Sequence, residues 1–204
     1  MKAVRATFPA MGVDTVARLT PDLCKNLKAN GMTFAVRYLG GATQQEVTDI
    51  LASGLALMLV TYSRTSGWVP SKDLGDKDGV AAVARAKALG APPAVTIWLD
   101  LEGCAGPASA TTEWVNAWAD KIKMAGYEPG LYVGAAPGGL DSKSLYALRV
   151  VRYWHSCSEV PEVATCGYCM RQLRPWNAMV GGVQVDVDVI EEDLKHRLPT
   201  WIVA

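Results

Sequence analysis

AVTIWLDLEG, residues 94–103, reads as a buried strand that runs straight into two acids, Asp100 and Glu102. Side chains alternate between the two faces of a strand. Val95, Ile97, Leu99 and Leu101 therefore share one face, and Thr96, Trp98, Asp100 and Glu102 share the other. The aliphatic face suits packing against helices. The second face must open onto a cleft at its end, because an unpaired charge is expensive to bury. In a barrel of βα units the C-terminal ends of the strands carry the active site, so the surroundings of this strand decide the fold.

The first two thirds of the chain repeat one order of signals: an apolar run, a capped amphipathic helix, then a glycine. Strands are expected near 11–14, 33–38, 56–62, 94–101 and 129–133. Helices are expected to end at Gly31, Gly54, Gly90 and Gly126, where a residue without a side chain can take the left-handed C-terminal position. Thr20-Pro21 reads as an N-cap with a first-turn proline, and Thr43-Gln44-Gln45-Glu46 as a capping box leading into Val47, Ile50 and Leu51. Trp114, Trp118 and Ile122 follow helical spacing on the fourth helix. After about residue 148, LRVVRYWHS, YCMRQLR and VQVDVDVI read as strands with no long helix between them. The alternation implies a parallel sheet covered by helices. Five βα units followed by three strands make eight, so the expected fold is an α/β TIM-type barrel, a single domain over 1–204. The alternative, an open doubly wound sheet, finds no G-x-G-x-x-G loop to support it.

The last strand repeats the pattern of the opening stretch. Val183, Val185, Val187 and Val189 lie on one side, with Gln184, Asp186 and Asp188 on the other, and the first strand, MGVD, ends in Asp14. Strands one and eight are neighbours in a closed barrel and strand four lies across from them. Asp14, Asp186 and Asp188 are therefore expected to face Asp100 and Glu102 over one mouth. Close carboxylates cannot all ionise cheaply, so at least one should hold its proton near neutral pH. A general acid beside a carboxylate is the pair that cleaves glycosidic bonds. Trp98, Tyr132 and Trp154 offer flat surfaces for sugar rings, with core packing as the competing reading of each. For the acids the competing reading is capping and loop hydrogen bonding. A ring of carboxylates also suits Mg²⁺ or Ca²⁺, but no phosphate-binding loop or basic cluster accompanies it, and no metal or cofactor is assigned.

Twenty basic residues balance twenty acidic ones, which leaves no electrostatic footprint for nucleic acid. No segment reaches the roughly 18 apolar residues of a membrane span, and the N-terminus has Lys2 and Arg5 without the apolar core of a signal peptide. Synthesis in the cytoplasm without a signal peptide is the expectation, with action at the bacterial cell wall after export or release. Of five cysteines, Cys24 and Cys104 stand alone, whereas Cys157, Cys166 and Cys169 cluster with His155. Zinc, a disulfide within the loop and free thiols all stay open for that cluster.

GVDT on the first strand, FAVRYLG on the second, WLDLEG on the fourth, PGLYVG on the fifth, RQL on the seventh and VDVDVI on the last carry a resemblance. Together they resemble the glycoside-hydrolase-like family catalogued as domain of unknown function 1906, which is in turn similar to the lysozymes of glycoside hydrolase family 25. The likeness spans about residues 11 to 190, and its D-x-E strand end is its most specific element. It implies a barrel of five βα units and three strands that cuts the bond between N-acetylmuramic acid and N-acetylglucosamine in peptidoglycan. By the resemblance, Glu102 is the proton donor and Asp100 its partner acid. Asp14 ends the first strand, Asp186 belongs to a V-D-x-N element in which Asp188 replaces the asparagine, and Tyr132 is the fifth-strand tyrosine. Trp98, Tyr132, Asp188, Arg37 and Trp154 are the expected substrate contacts. The segment after Asp14, TVARLTPDL, departs from the Ser-x-x-Gln-Gly pattern of the lysozymes, and Arg37-Tyr38 marks the less characterised relatives. The expected function is a muramidase-like glycosidase acting on peptidoglycan or a related polysaccharide, in the setting of a phage or prophage lytic enzyme. The alternative is a catalytically silent glycan-binding barrel.

Overall fold

A computed structural model describes residues 1–61 and 64–204. Strand β1 (Lys2–Arg5) precedes five βα units. These are β2 (Ala10–Thr15) with α1 (Pro21–Ala29), β3 (Phe34–Tyr38) with α2 (Gln44–Ala52), β4 (Ala56–Val60) with α3 (Lys72–Ala88), β5 (Thr96–Leu101) with α4 (Ala108–Met124), and β6 (Glu128–Val133) with α5 (Ser142–Tyr146). Strands β7 (Arg152–His155), β8 (Met170–Gln172), β9 (Ala178–Val180), β10 (Val183–Ile190) and β11 (Thr200–Val203) complete the chain. Of the strand expected over 56–62, Tyr62 lies outside the described residues.

The barrel runs β2, β3, β4, β5, β6, β7, β8, β10 and back to β2. Pairing of β4 with β5, Leu59 opposite Ile97 and Val60 opposite Trp98, closes it and rules out the open sheet. All neighbours are parallel except around β10, which is antiparallel to both β2 and β8. The three further strands had no clear signal in the sequence. β9 forms a hairpin with β10, while β11 pairs with β1 and, at Ile202 and Leu57, with β4. Trp201 of β11 meets Phe34 inside the barrel with ring centroids 5.8 Å apart and helps fill the end opposite the strand C-termini.

Two cores follow from the alternation of side chains. Ile97, Leu99 and Leu101 join Trp114, Val115, Trp118 and Ile122 of α4 between sheet and helices. The other strand face fills the lumen with Phe34, Val36, Met58, Trp98, Trp154, Met170 and Ile190. Glycines make room for the rings: a Cβ on Gly130 would lie 2.4 Å from the Trp98 indole, and one on Gly12 2.5 Å from the Phe34 ring. Trp98 and Trp154 pack edge to face at 5.7 Å.

The four expected helix stops hold, with Gly31, Gly54, Gly90 and Gly126 all at positive φ. At the start of α2 only half of the expected capping box forms. Thr43 accepts from the Glu46 N–H at 3.2 Å, but the Glu46 carboxylate turns inward. Its Oε1 accepts from Leu19 N and from Arg37 Nε, both at 2.8 Å. This fully buried pair ties α2 to the outer face of β3, and removing either partner would strand the other charge in the interior.

Candidate active site

Asp14 and Asp186 are register partners on adjacent strands, and one amide holds both. Gln172 Nε2 donates to Asp14 Oδ2 at 2.9 Å and to Asp186 Oδ2 at 3.1 Å. Its Oε1 accepts from the Tyr132 hydroxyl and from Cys157 N, each at 3.2 Å. A backbone N–H can only donate, so the amide has one permitted orientation and both its hydrogens go to carboxylates. Asn177 N donates to the remaining Asp186 oxygen at 2.5 Å. Asp186 reaches the mouth from the middle of β10, because that strand runs antiparallel and presents its N-terminal half there.

Across the barrel, Asp100 and Glu102 close β5. Asp100 is buried, its N–H held by Thr61 Oγ1 at 3.0 Å, while Glu102 is half-exposed with its carbonyl accepting from Trp68 Nε1 at 2.9 Å. Gly134 leaves space for the Glu102 side chain, since a Cβ there would fall 2.4 Å from Glu102 Cβ. Glu102 lines a cavity of about 400 Å³ with Arg64, Ser66 and Ala136. Asp14 and Asp186 line another of about 170 Å³ with Tyr38 and Asn177. Tyr38 connects the two groups of acids. Burial raises its hydroxyl pKa first, and the charges of Asp14, Asp100, Glu102 and Asp186 add to the rise. The four acids therefore share one mouth.

The field of these carboxylates falls on the buried ones. Desolvation pushes Asp14 up to about 7, with the Gln172 hydrogen bond opposing and the Asp186 charge reinforcing the rise. Burial, then the charges of Glu102 and Asp14, hold Asp100 well above the usual carboxylate range. Burial, then Asp14, do the same to Asp188. Asp188 lies one inward position deeper and accepts from Trp154 Nε1 at 3.0 Å. Asp14, pushed up to about 7, thus keeps its proton through mildly acid pH.

Three expected substrate contacts need correction. Trp98 and Trp154 are 0% and 1% exposed, sealed in the lumen by the packing that closes the barrel. Arg37 alternates to the outside of β3, is 1% exposed, and has its guanidinium engaged by Glu46 and the Thr15 carbonyl. Tyr132 and Asp188 do stand at the site, Tyr132 half-buried with its hydroxyl on Gln172 and Asp188 below the floor. Gln172 and Tyr38 are the residues that sequence reasoning left without a role. Their signal was present: each is a polar group on an inward strand face, two residues from Met170 or Val36 of the lumen. All five cysteines are free thiols. No helix among the described residues is long and apolar enough to cross a membrane.

Solved structures share this fold. The Tat-secreted protein Rv2525c of Mycobacterium tuberculosis, crystallised with L-tartrate, is similar with a TM-score of 0.68 at 19% identity, over 89% of this chain and 95% of that one. A family 25 glycosyl hydrolase from Bacillus anthracis gives 0.64 at 14% identity, over 91% and 90%. The modular autolysin LytC of Streptococcus pneumoniae, in complex with a synthetic peptidoglycan ligand, gives 0.60 at 15% identity, over 91% of this chain and 47% of that one. No curated protein matches the sequence. The family model for the Rv2525c-like, glycoside hydrolase-like domain matches residues 25–179, which include β3 to β8 and both Asp100 and Glu102. On that match, over more than half of its length, the chain belongs to the Rv2525c-like, glycoside hydrolase-like domain family.

Proposed function

We propose that this barrel is a glycosidase that cleaves the glycan strands of cell-wall peptidoglycan, with Glu102 as the proton donor. The observation that carries the reading is the half-buried Glu102 set beside Asp14 and Asp100, buried carboxyls held above the usual carboxylate range. Glu102 is the acid that a glycosidic oxygen can reach from the cavity it lines. Asp100 lies directly beneath it on the same strand face. As the glycosidic bond breaks, the Glu102 proton passes to the leaving oxygen, positive charge grows on the sugar ring opposite the carboxyl oxygens of Asp100 and Asp14, and water then adds to the anomeric carbon and returns a proton to Glu102. The attraction between that charge and those oxygens is stronger in the transition state than in the resting complex, which is what accelerates a reaction. Gln172 fixes Asp14 and Asp186 and so limits how far the carboxylates must reorganise. The similarity to a family 25 hydrolase and to an autolysin crystallised with a peptidoglycan ligand supports this substrate class.

The test compares wild type with Asp100→Asn and Asp186→Asn for both hydrolysis and binding of purified peptidoglycan. An amide keeps the shape but cannot become an anion. Each variant is expected to lose turnover by at least about tenfold, the equivalent of one charge-assisted contact, with affinity changed far less. Equal losses in both measurements would assign the acids to sugar hydroxyl binding and the barrel to a silent binder.

A further inference from the structure

We infer that Trp176, on the loop between β8 and β9, is the stacking platform that receives a sugar ring of the glycan at the entrance to the acid mouth. The inference rests on the glycosidase reading above for its substrate class. A polysaccharide needs an exposed apolar surface beside the reacting acids, and the two lumen tryptophans cannot provide it because both are sealed. The large exposed aromatics among the described residues are Phe8, Tyr146 and Trp176. Phe8 precedes the N-terminal end of β2, and Tyr146 lies against Lys195, beyond the C-terminal end of β10. Both of those positions belong to the end away from the acids. Trp176 stands at the mouth, one residue before Asn177, whose N–H holds Asp186 and which lines the cavity with Asp14.

The loop that carries Trp176 is fixed to the site on both sides. Before it, Leu173 N donates to Val187 O at 2.7 Å and Arg174 Nε to Cys157 O at 3.1 Å, while the Cys157 N–H is itself on Gln172. After it, Asn177 is pinned to Asp186, and Ala178 pairs with Val185 in the hairpin. The Arg174 guanidinium lies over the indole at 5.5 Å, yet 54% of Trp176 stays exposed. A ring held at both flanks loses little freedom when a ligand settles on it. The amphipathic indole presents its flat apolar face to the C–H face of a pyranose and leaves the sugar hydroxyls in water. The indole lies outside both cores, so its exposed face is open to a ligand. The loop also links recognition to chemistry, since the same Asn177 N–H orients Asp186.

The experiment measures binding of purified, peptide-free glycan strands to Glu102→Gln and to Glu102→Gln carrying Trp176→Ala, Trp176→Phe or Arg174→Ala, so that cleavage does not interfere. Trp176→Ala is expected to weaken binding about tenfold, Trp176→Phe to restore part of it, and Arg174→Ala to fall between, with unchanged thermal unfolding because the side chain is outside both cores. Strands that bind the Glu102→Gln protein equally well with and without the indole would overturn the platform and leave the glycosidase reading standing. Strands that bind neither protein, nor wild type, would overturn both.

Discussion

Glu102→Gln is expected to lower the rate of glycan cleavage at least about a hundredfold, the lower range for a positioned acid, while fold and glycan affinity stay close to wild type. The side chain is half-exposed, so the amide replaces a carboxyl without burying a new polar group. Its backbone carbonyl still accepts from Trp68, and the space left by Gly134 still admits it. What disappears is the proton for the leaving oxygen. Single-turnover hydrolysis of purified peptidoglycan reads this loss apart from binding. Turnover within a few fold of wild type would remove Glu102 from the mechanism and pass its role to another acid of the mouth.

The second large effect is on stability. Asp14 titrates near 7 in the folded protein against 3.8 for the ordinary carboxyl. Between those values the folded chain binds more protons than the unfolded one, so the contribution of this group is fully present below about pH 4 and is lost as pH rises through about 7. At 1.36 kcal/mol per pH unit the displacement corresponds to roughly 4 kcal/mol for Asp14. Asp100 and Asp188 are raised in the same direction and act with the same sign. Asp76, half-buried, and Asp141, exposed, are lowered, and burial lowers His155; these act with the opposite sign, the two acids below about pH 4 and His155 as pH rises toward its ordinary 6.5. Urea unfolding of wild type should therefore show stability decreasing from pH 4 to pH 7, and Asp14→Asn should flatten that slope. A wild-type stability that climbs across this window, unchanged in Asp14→Asn, would contradict a proton-holding mouth.

Much of this arrangement was legible in the sequence because it depends on local rules. The two-residue period of TIWLDL assigned the faces of β5 correctly, and glycines after four amphipathic helices gave the βα units. Eight strands and the pairing of the first with the last then brought Asp14 and Asp186 together. The errors share one cause, which is that a side chain's tertiary partner is not written in its own segment. Glu46 satisfies the spacing of a capping box, yet the guanidinium of Arg37, delivered by the neighbouring strand, offers it a stronger hydrogen bond than the N-cap amide. Arg37 points outward by the two-residue period of β3, between inward Val36 and Tyr38, and the same contact holds it there. Trp98 and Trp154 lie on the inward face as expected, but inward means lumen at their depth and cleft only at Asp100 and Glu102. Gln172 could be placed on a strand from its sequence but its four hydrogen bonds run to Asp14, Tyr132, Cys157 and Asp186, which only the closed barrel assembles.

Incubation of wild-type protein with purified, acetylated peptidoglycan between about pH 4 and 8, followed by identification of the sugars at new reducing ends, tests the central claim most directly. Release of glycan fragments ending in reducing N-acetylmuramic acid, with a rate that varies across this range as the carboxyls of the mouth titrate and that collapses in Glu102→Gln, is the predicted result. Glycan that binds to the protein but yields no new reducing ends at any pH in that range would contradict it.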